Sequence, residues 1–260
     1  MIGTGPVFVV GCPRSGTSAL SWALASHPDY WTSVETHFFY NLLRDQWLSN
    51  AYEASYRAGS WLDAQAISID AFFAYAGMGF DRLMRSRSEG LHWVDSSPEN
   101  LMVARPLLRM FGEARIFHVV RDPQSVCLSM LTSGFTEPWA ADIGEAIQVW
   151  KHYVSVGLDL AEDFPDRVAW IKQEDMCAAA AAVASEIGSR LGLEDATPIE
   201  TFLNQERINS SADKTTYVDD SPFRHATTPS RDSDWFQAMH GARVQDETAP
   251  LAARFGYGRQ

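Results

Sequence analysis

The chain alternates short, wholly apolar runs with longer segments of helical periodicity. Pro6 to Cys12 is apolar and β-branched and breaks into the run Gly11-Cys12-Pro13-Arg14-Ser15-Gly16-Thr17-Ser18. From Ala19 to Ser26 a helical pattern follows, with Leu20 and Leu24 at i and i+4, and His27-Pro28-Asp29 ends it. Leu91 to Val94, Arg115 to Val120 and Arg167 to Lys172 read as further buried strands, each apolar in its middle and bounded by polar or turn residues. Helical patterns occupy Leu101 to Met110, Gln124 to Leu131, Ile143 to Glu162 and Ala178 to Leu193. Apolar strands alternating with helices predict a three-layer α/β fold, with a central, mainly parallel sheet of four or five strands flanked by helices.

Two regions interrupt the alternation. Between Tyr30 and Trp93 stand 14 of the 31 aromatic residues, which predicts a helical, aromatic-rich insertion over about 30–90. From Arg207 to Ser233 the chain is polar and rich in Ser, Thr, Asp and Pro, which predicts a long lid loop over about 207–233. With 260 residues there is enough chain for one sizeable core, so a single domain over 1–260 is expected. The 12% aromatic content excludes disorder, and no stretch approaches the roughly 18–20 apolar residues of a membrane span. Val7 to Val10 is too short for a signal peptide and has no basic residue before it. Cys12, Cys127 and Cys177 have neither metal-ligand nor disulfide spacing. A cytoplasmic protein is the expectation. With 21 basic against 33 acidic residues the net charge is −12, which disfavours nucleic acid, anionic membrane and polyanionic partners. The oligomeric state is left open.

Gly11-x-x-x-x-Gly16, after a strand and opening a helix, has the geometry of a phosphate cradle, in which backbone N–H groups and the positive helix end converge on an anion. The arrangement is P-loop-like, but the loop lysine of a nucleoside-triphosphate site is missing: Thr17 and Ser18 follow Gly16, and no lysine precedes Lys151. The second strand with a polar end, Ile116 to Val120, runs into Arg121-Asp122, a cation where a metal-binding carboxylate would be preferred.

At these residues the sequence resembles the sulfotransferases that use 3′-phosphoadenosine 5′-phosphosulfate (PAPS). Val9 to Leu20 followed by His27-Pro28-Asp29 is similar to their 5′-phosphosulfate loop, in the branch with Pro-Arg-Ser-Gly-Thr that includes the tyrosylprotein sulfotransferases and many bacterial enzymes. Phe117 to Pro123, with Ser125 and Ser129, resembles their 3′-phosphate motif, in which Arg and Ser stand eight residues apart, here Arg121 and Ser129. Looser likeness extends to Trp93–Asn100, Glu174-Asp175-Met176 and Trp235 with Phe255-Gly256-Tyr257.

The resemblance implies that Pro13, Arg14, Ser15, Gly16, Thr17 and Ser18, with Arg121 and Ser129, bind the donor, and that no metal is required. It makes Arg14 the residue that stabilises leaving-group charge. Arginine keeps its proton, so that role is electrostatic. In the Arg-type branch an acidic element follows His-Pro-Asp, and Ser33-Val34-Glu35-Thr36 stands there, making Glu35 the candidate base, with Asp95 and His37 in reserve. The acceptor is expected to be a small apolar or aromatic molecule with a hydroxyl or amine, held by the aromatic segment. Three positions depart from the family. Ser96 replaces a frequent lysine, for which Arg82, Arg85 or Arg87 are possible substitutes. Gln173 replaces a tyrosine. The basic C-terminal contribution is reduced to Arg207, Ser210, Ser211 and Lys214 as candidates. The competing expectations are a magnesium/ATP-dependent small-molecule kinase on the same fold and a nucleotide-binding protein without turnover.

Overall fold

The computed structural model describes residues 5–205 and 234–258. Among them five strands form one sheet: β1 (Val7–Gly11), β2 (Tyr30–Thr32), β3 (His92–Asp95), β4 (Arg115–Val120) and β5 (Val168–Lys172). Every pairing is parallel and the order is β2-β3-β1-β4-β5. β1 therefore lies at the centre, with β3 on one side and β4 on the other. In an open parallel sheet, that reversal of strand order at the carboxyl ends creates a crevice for ligands.

The helices are α1 (Thr17–Ala25), α2 (Phe38–Leu43), α3 (Trp47–Ser55), α4 (Trp61–Ala64), α5 (Ile69–Arg85), α6 (Ala104–Met110), α7 (Pro123–Leu131), α8 (Pro138–Ala141), α9 (Ile143–Asp163), α10 (Gln173–Ala178), α11 (Ala180–Leu191), α12 (Thr197–Gln205), α13 (Asp234–Phe236) and α14 (Ala242–Ala252). A 3₁₀ segment, Pro98–Val103, leads into α6. The aromatic stretch opens with β2, a three-residue edge strand paired only to β3, and its helices begin at Phe38. Three residues are too short for an alternation signal, which is why the periodicity of the sequence does not reveal this strand.

Strand pleating sends alternate residues into two cores. Phe8, Val10 and Ile116 enter one cluster with Phe39, Phe73, Trp93 and Leu107. Val7, Val9, Phe117 and Val119 enter the other with Leu20, Leu24 and Ile187. Much of the aromatic segment is spent on the first cluster. Phe39 stacks on Trp93 with ring centroids 5.5 Å apart and planes 7° from parallel, and both pack against Phe8 and Phe111.

One close approach fixes the position of α9 on the sheet. His118 of β4 is fully buried, its imidazole pushed down to about 4 by burial, so it is neutral. Its ring packs against Gly157, where an added Cβ would lie 2.1 Å from the Cε1 and Nδ1 atoms. A Gly157→Ala substitution is expected at or above the upper end of the about 1–3 kcal/mol range for overpacking. Thermal denaturation should then show Tm falling by about 6–12 °C, and an unchanged Tm would refute this packing.

Candidate active site

The carboxyl ends of all five strands carry the chemistry-bearing residues. The loop Cys12–Gly16 follows β1, and the loop with Glu35 and His37 follows β2. Asp95 ends β3, Arg121 follows β4, and Glu174 follows β5 on α10.

The β1 loop is shaped by its glycines. At Gly11 a Cβ would meet the Val119 carbonyl oxygen at 2.4 Å, so only glycine lets the chain turn away beside β4. Gly16 has φ of +100° and caps α1, with Gln173 close above it: a Cβ here would lie 3.1 Å from the Gln173 Cγ. Between them Arg14 also adopts a left-handed conformation, with φ of 74°. That conformation is uncommon and strained for a residue with a side chain. Ser15 is fully buried, and its Oγ has no hydrogen-bond partner among the described residues. An orphaned hydroxyl beneath a turn that opens a helix is the arrangement an anion would complete.

The β1 loop and the segment from Arg121 to Ser129 meet directly. Arg14 Nε donates to Ser129 Oγ at 3.0 Å, across 115 residues of sequence, and Arg121 Nη1 donates to the Arg14 carbonyl at 3.1 Å. The Arg14 guanidinium lies over the Phe135 ring, 5.8 Å from its centroid. α7 is started by Asp122, whose Oδ2 accepts from the Ser125 N–H at 2.7 Å, and it places Ser129 two turns along. Trp150 Nε1 donates to the Arg121 carbonyl at 3.0 Å and fixes the strand end from α9. Glu174 accepts from the Asp122 N–H at 2.9 Å and from the Tyr257 hydroxyl at 2.6 Å, so the fourth-strand and C-terminal motifs brace the same turn.

A second group faces this one. Thr36 Oγ1 donates to Asp95 Oδ2, while Asp95 Oδ1 accepts from the Ser97 N–H at 2.8 Å and Asn100 Nδ2 at 3.0 Å. Burial raises the Asp95 carboxyl, against the hydrogen bonds that favour its charged form. His37, with φ of 53° at the start of α2, is hydrogen-bonded through Nδ1 to Glu99 Oε1, and its Nε2 lies 3.7 Å from Glu35 Oε2. Burial pulls the imidazole down, but Glu99, Glu35 and Asp95 outweigh it and leave it raised. Glu35 is pushed up to about 7, first by burial and further by Glu99 and Asp95, against the lowering effects of His37 and Arg14. Its side chain keeps 36% of its exposure, so it is within reach of an incoming molecule.

The structure thus brings Arg14, within the loop from Pro13 to Ser18, together with Arg121 and Ser129. It gathers Glu35, His37 and Asp95 on the neighbouring loops. Glu99 and Tyr153 belong to the same group. Glu99 sits inside the Trp93–Asn100 stretch, but only the 3₁₀ segment turns it onto His37. Tyr153, on α9, has its hydroxyl raised by burial and by Cys12, Glu99, Tyr40 and Glu35, and no local pattern marks it.

Arg82 and Arg85 do not stand in for a cation at Ser96. They lie in the last turn of α5, and Arg87 lies just beyond it, before β3 enters the sheet. That is the amino end of the parallel strands, opposite the loop, and Arg85 there pairs with Asp81 at 2.8 Å. His92, first in β3, is at that end too, against Tyr30. The expected lid over 207–233, with Arg207, Ser210, Ser211 and Lys214, lies outside the described residues. Among the described residues no helix is long and apolar enough to cross a membrane.

No curated protein sequence matches the chain. Among solved structures, the sulfotransferase domain of the Synechococcus PCC 7002 olefin synthase superposes with a TM-score of 0.65 at 21% identity, over 98% of this chain and 95% of that one. The sulfotransferase domain from the curacin biosynthetic pathway gives 0.64 at 19% identity, over 98% and 99%. Sulfotransferase STF9 from Mycobacterium avium gives 0.50 at 16%, over 98% and 78%. These likenesses establish the fold. The sequence profile described as the sulfotransferase family matches residues 6–197, which takes in all five strands, the β1 loop and the segment from Arg121 to Ser129. The chain belongs to the sulfotransferase family and is, as a member, a transferase.

Proposed function

We propose that the chain transfers a sulfuryl group from PAPS to a hydroxyl or amine of a small, largely apolar acceptor by in-line displacement, as a member of the Pro-Arg-Ser-Gly-Thr branch. The observation that carries this reading is the convergence of Arg14, Arg121 and Ser129 at the carboxyl ends of β1 and β4, opposite the carboxylate of Glu35. The donor supplies an activated sulfuryl group on a phosphate leaving group. The loop from Pro13 to Ser18 offers N–H groups, hydroxyls and the positive end of α1 to its 5′ side. Arg121 and Ser129 are assigned to the 3′-phosphate, which suits a fork donor beside a hydroxyl. Ser15 Oγ, buried and without a partner among the described residues, fits such a ligand.

Arg14 keeps its positive charge and is assigned to the charge that builds on the departing phosphate oxygen. The hydrogen bond from Arg14 to Ser129 lets one side chain act at both ends of the donor. Glu35 is assigned as the base that takes the acceptor proton, with His37 held beside it by Glu99. Its raised pKa suits proton transfer near neutral pH. No metal enters this scheme, because the two arginines carry the positive charge.

The test is a metal-free thermal shift with 3′-phosphoadenosine 5′-phosphate, run beside ATP with magnesium. At about 100 times its Kd a ligand adds roughly 2.7 kcal/mol of stability. The bisphosphate is expected to stabilise the protein, and Arg121→Ala to abolish the shift. Stabilisation by ATP with magnesium alone would replace this reading with a kinase.

A further inference from the structure

A cleft of about 750 Å³ opens between α2, α3, α5, α6 and the 3₁₀ segment before α6. Arg14, Glu35, His37, Asp95 and Glu99 do not line it, yet it starts one turn along the chain from His37 and Glu99. Tyr40 follows His37 by three residues on α2, Met102 follows Glu99 by three along the 3₁₀ segment, and both line the cleft. Residues three apart share a face on either kind of helix, so the cleft continues the side on which His37 and Glu99 meet.

Its chemistry is mixed in a specific way. Arg44, Arg105 and Arg109 lie over Tyr40, Phe164 and Phe73, with guanidinium carbons 5.7, 5.8 and 5.5 Å from the ring centroids, and all six residues line the cleft. Stacking fixes the plane of a guanidinium while leaving its N–H edge to face a ligand. Arg167 lines the cleft as well, but it donates to the carbonyls of Leu108, Phe111 and Ala114, which accounts for it structurally. The other three pair with Asp45, Asp163 and Asp70, and each pair is about half exposed or more. Exposed pairs of this kind contribute little to stability, so they yield readily to an incoming anion. Of those carboxylates only Asp70 lines the cleft, against four arginines, in a chain whose net charge is −12. Locally the sign of the protein is reversed.

We propose that this cleft seats the far end of the acceptor, which is therefore an amphipathic molecule. It has a hydroxyl at one end, an apolar body against the aromatic wall, and a single carboxylate or phosphate monoester held by Arg105 and Arg109. The proposal rests on the sulfuryl-transfer reading for what happens at the near end, and its binding part stands apart from catalysis.

The probes are 8-hydroxyoctanoate, 8-hydroxyoctyl phosphate and 1-octanol, titrated calorimetrically and then offered as acceptors. At least one anion is expected to bind about tenfold or more tighter than 1-octanol, the gain of a hydrogen bond to a charged group. It should also be sulfated with a correspondingly lower KM, and the ratio between the two anions identifies the headgroup. The double variant Arg105→Gln/Arg109→Gln is expected to remove the preference and leave 3′-phosphoadenosine 5′-phosphate binding unchanged. Arg105→Lys/Arg109→Lys, which keeps the charge, should retain part of the preference and guards against a folding artefact. Equal binding of acid, phosphate and alcohol, or a preference that survives the Gln variant, overturns the proposal. So does tight binding of an anion that is never sulfated by protein that binds the bisphosphate. Absence of bisphosphate binding strikes the donor reading instead, and the calorimetric comparison still decides whether the cleft is an anion site.

Discussion

An Arg14→Ala enzyme is expected to lose about 10²–10³-fold in kcat, the loss typical of removing one preorganised donor from developing negative charge. Steady-state sulfate transfer measures it, and a kcat within threefold of the parent would remove Arg14 from the mechanism. Arg14→Lys should recover only part, because an ammonium is a point charge and cannot both donate to Ser129 and present a second edge to the donor. The backbone supplies an independent control. Arg14 has φ of 74°, a conformation that costs a residue with a side chain about 1–2 kcal/mol and costs glycine almost nothing. Arg14→Gly is therefore expected to raise Tm while losing as much kcat as the alanine variant. Gain in stability with loss of rate separates a side chain held under strain for chemistry from one that merely supports the loop.

The second large effect is on the pH dependence. With its carboxyl pushed up to about 7, Glu35 is protonated in acid and cannot accept a proton there. The logarithm of kcat/KM is expected to rise with unit slope up to about pH 7 and then level off. Glu35→Gln should lower the plateau by about 10²–10⁴-fold and remove the slope. If the slope instead survives in Glu35→Gln and vanishes in His37→Gln, the base is His37.

Stability gives the same group a second readout. The folded-state pKa lies above the unfolded value of 4.5, so between the two the native state binds more protons than the unfolded chain. Stability is then lost as pH rises through that window. Glu35→Gln carries no charge at any pH, so its Tm should gain on the parent between about pH 4.5 and 7 and keep that gain above it. A Tm difference independent of pH would contradict the partly buried, proton-holding environment.

The parts of this site that can be read along the chain are those made by neighbours in sequence. A glycine-flanked turn between an apolar strand and a helix dictates the β1 loop, because close approach to Val119 and a left-handed cap exclude side chains at Gly11 and Gly16. Arg121 and Ser129 are legible for the same reason: strand, capping aspartate and helix place them within one local unit. The place of Glu35 after His27-Pro28-Asp29 is legible through the family resemblance, and its role as base is the proposal made above.

Other features exist only because distant segments meet. Parallel pairing of β1 with β3 and β4 brings Asp95 and Arg121 to either side of one loop, and the Arg14–Ser129 contact closes 115 residues of chain. Glu99 reaches His37 from the far side of the aromatic insertion, and Tyr153 comes from a helix of the opposite half of the sequence. The aromatic residues themselves show the limit. Their clustering between Tyr30 and Trp93 is plain in the sequence, but which of them fill the core, as Phe39 and Trp93 do, and which stay partly open to a cleft, as Tyr40 does, depends on the side of each helix that meets the sheet. The same holds for Arg82 and Arg85, which are near in sequence to the site's third strand yet at its wrong end. Local sequence determined the turns, caps and spacing of this protein, because backbone sterics and hydrogen bonding act over a few residues. Only tertiary structure decided which charges face one another, because burial and proximity are properties of the packed chain.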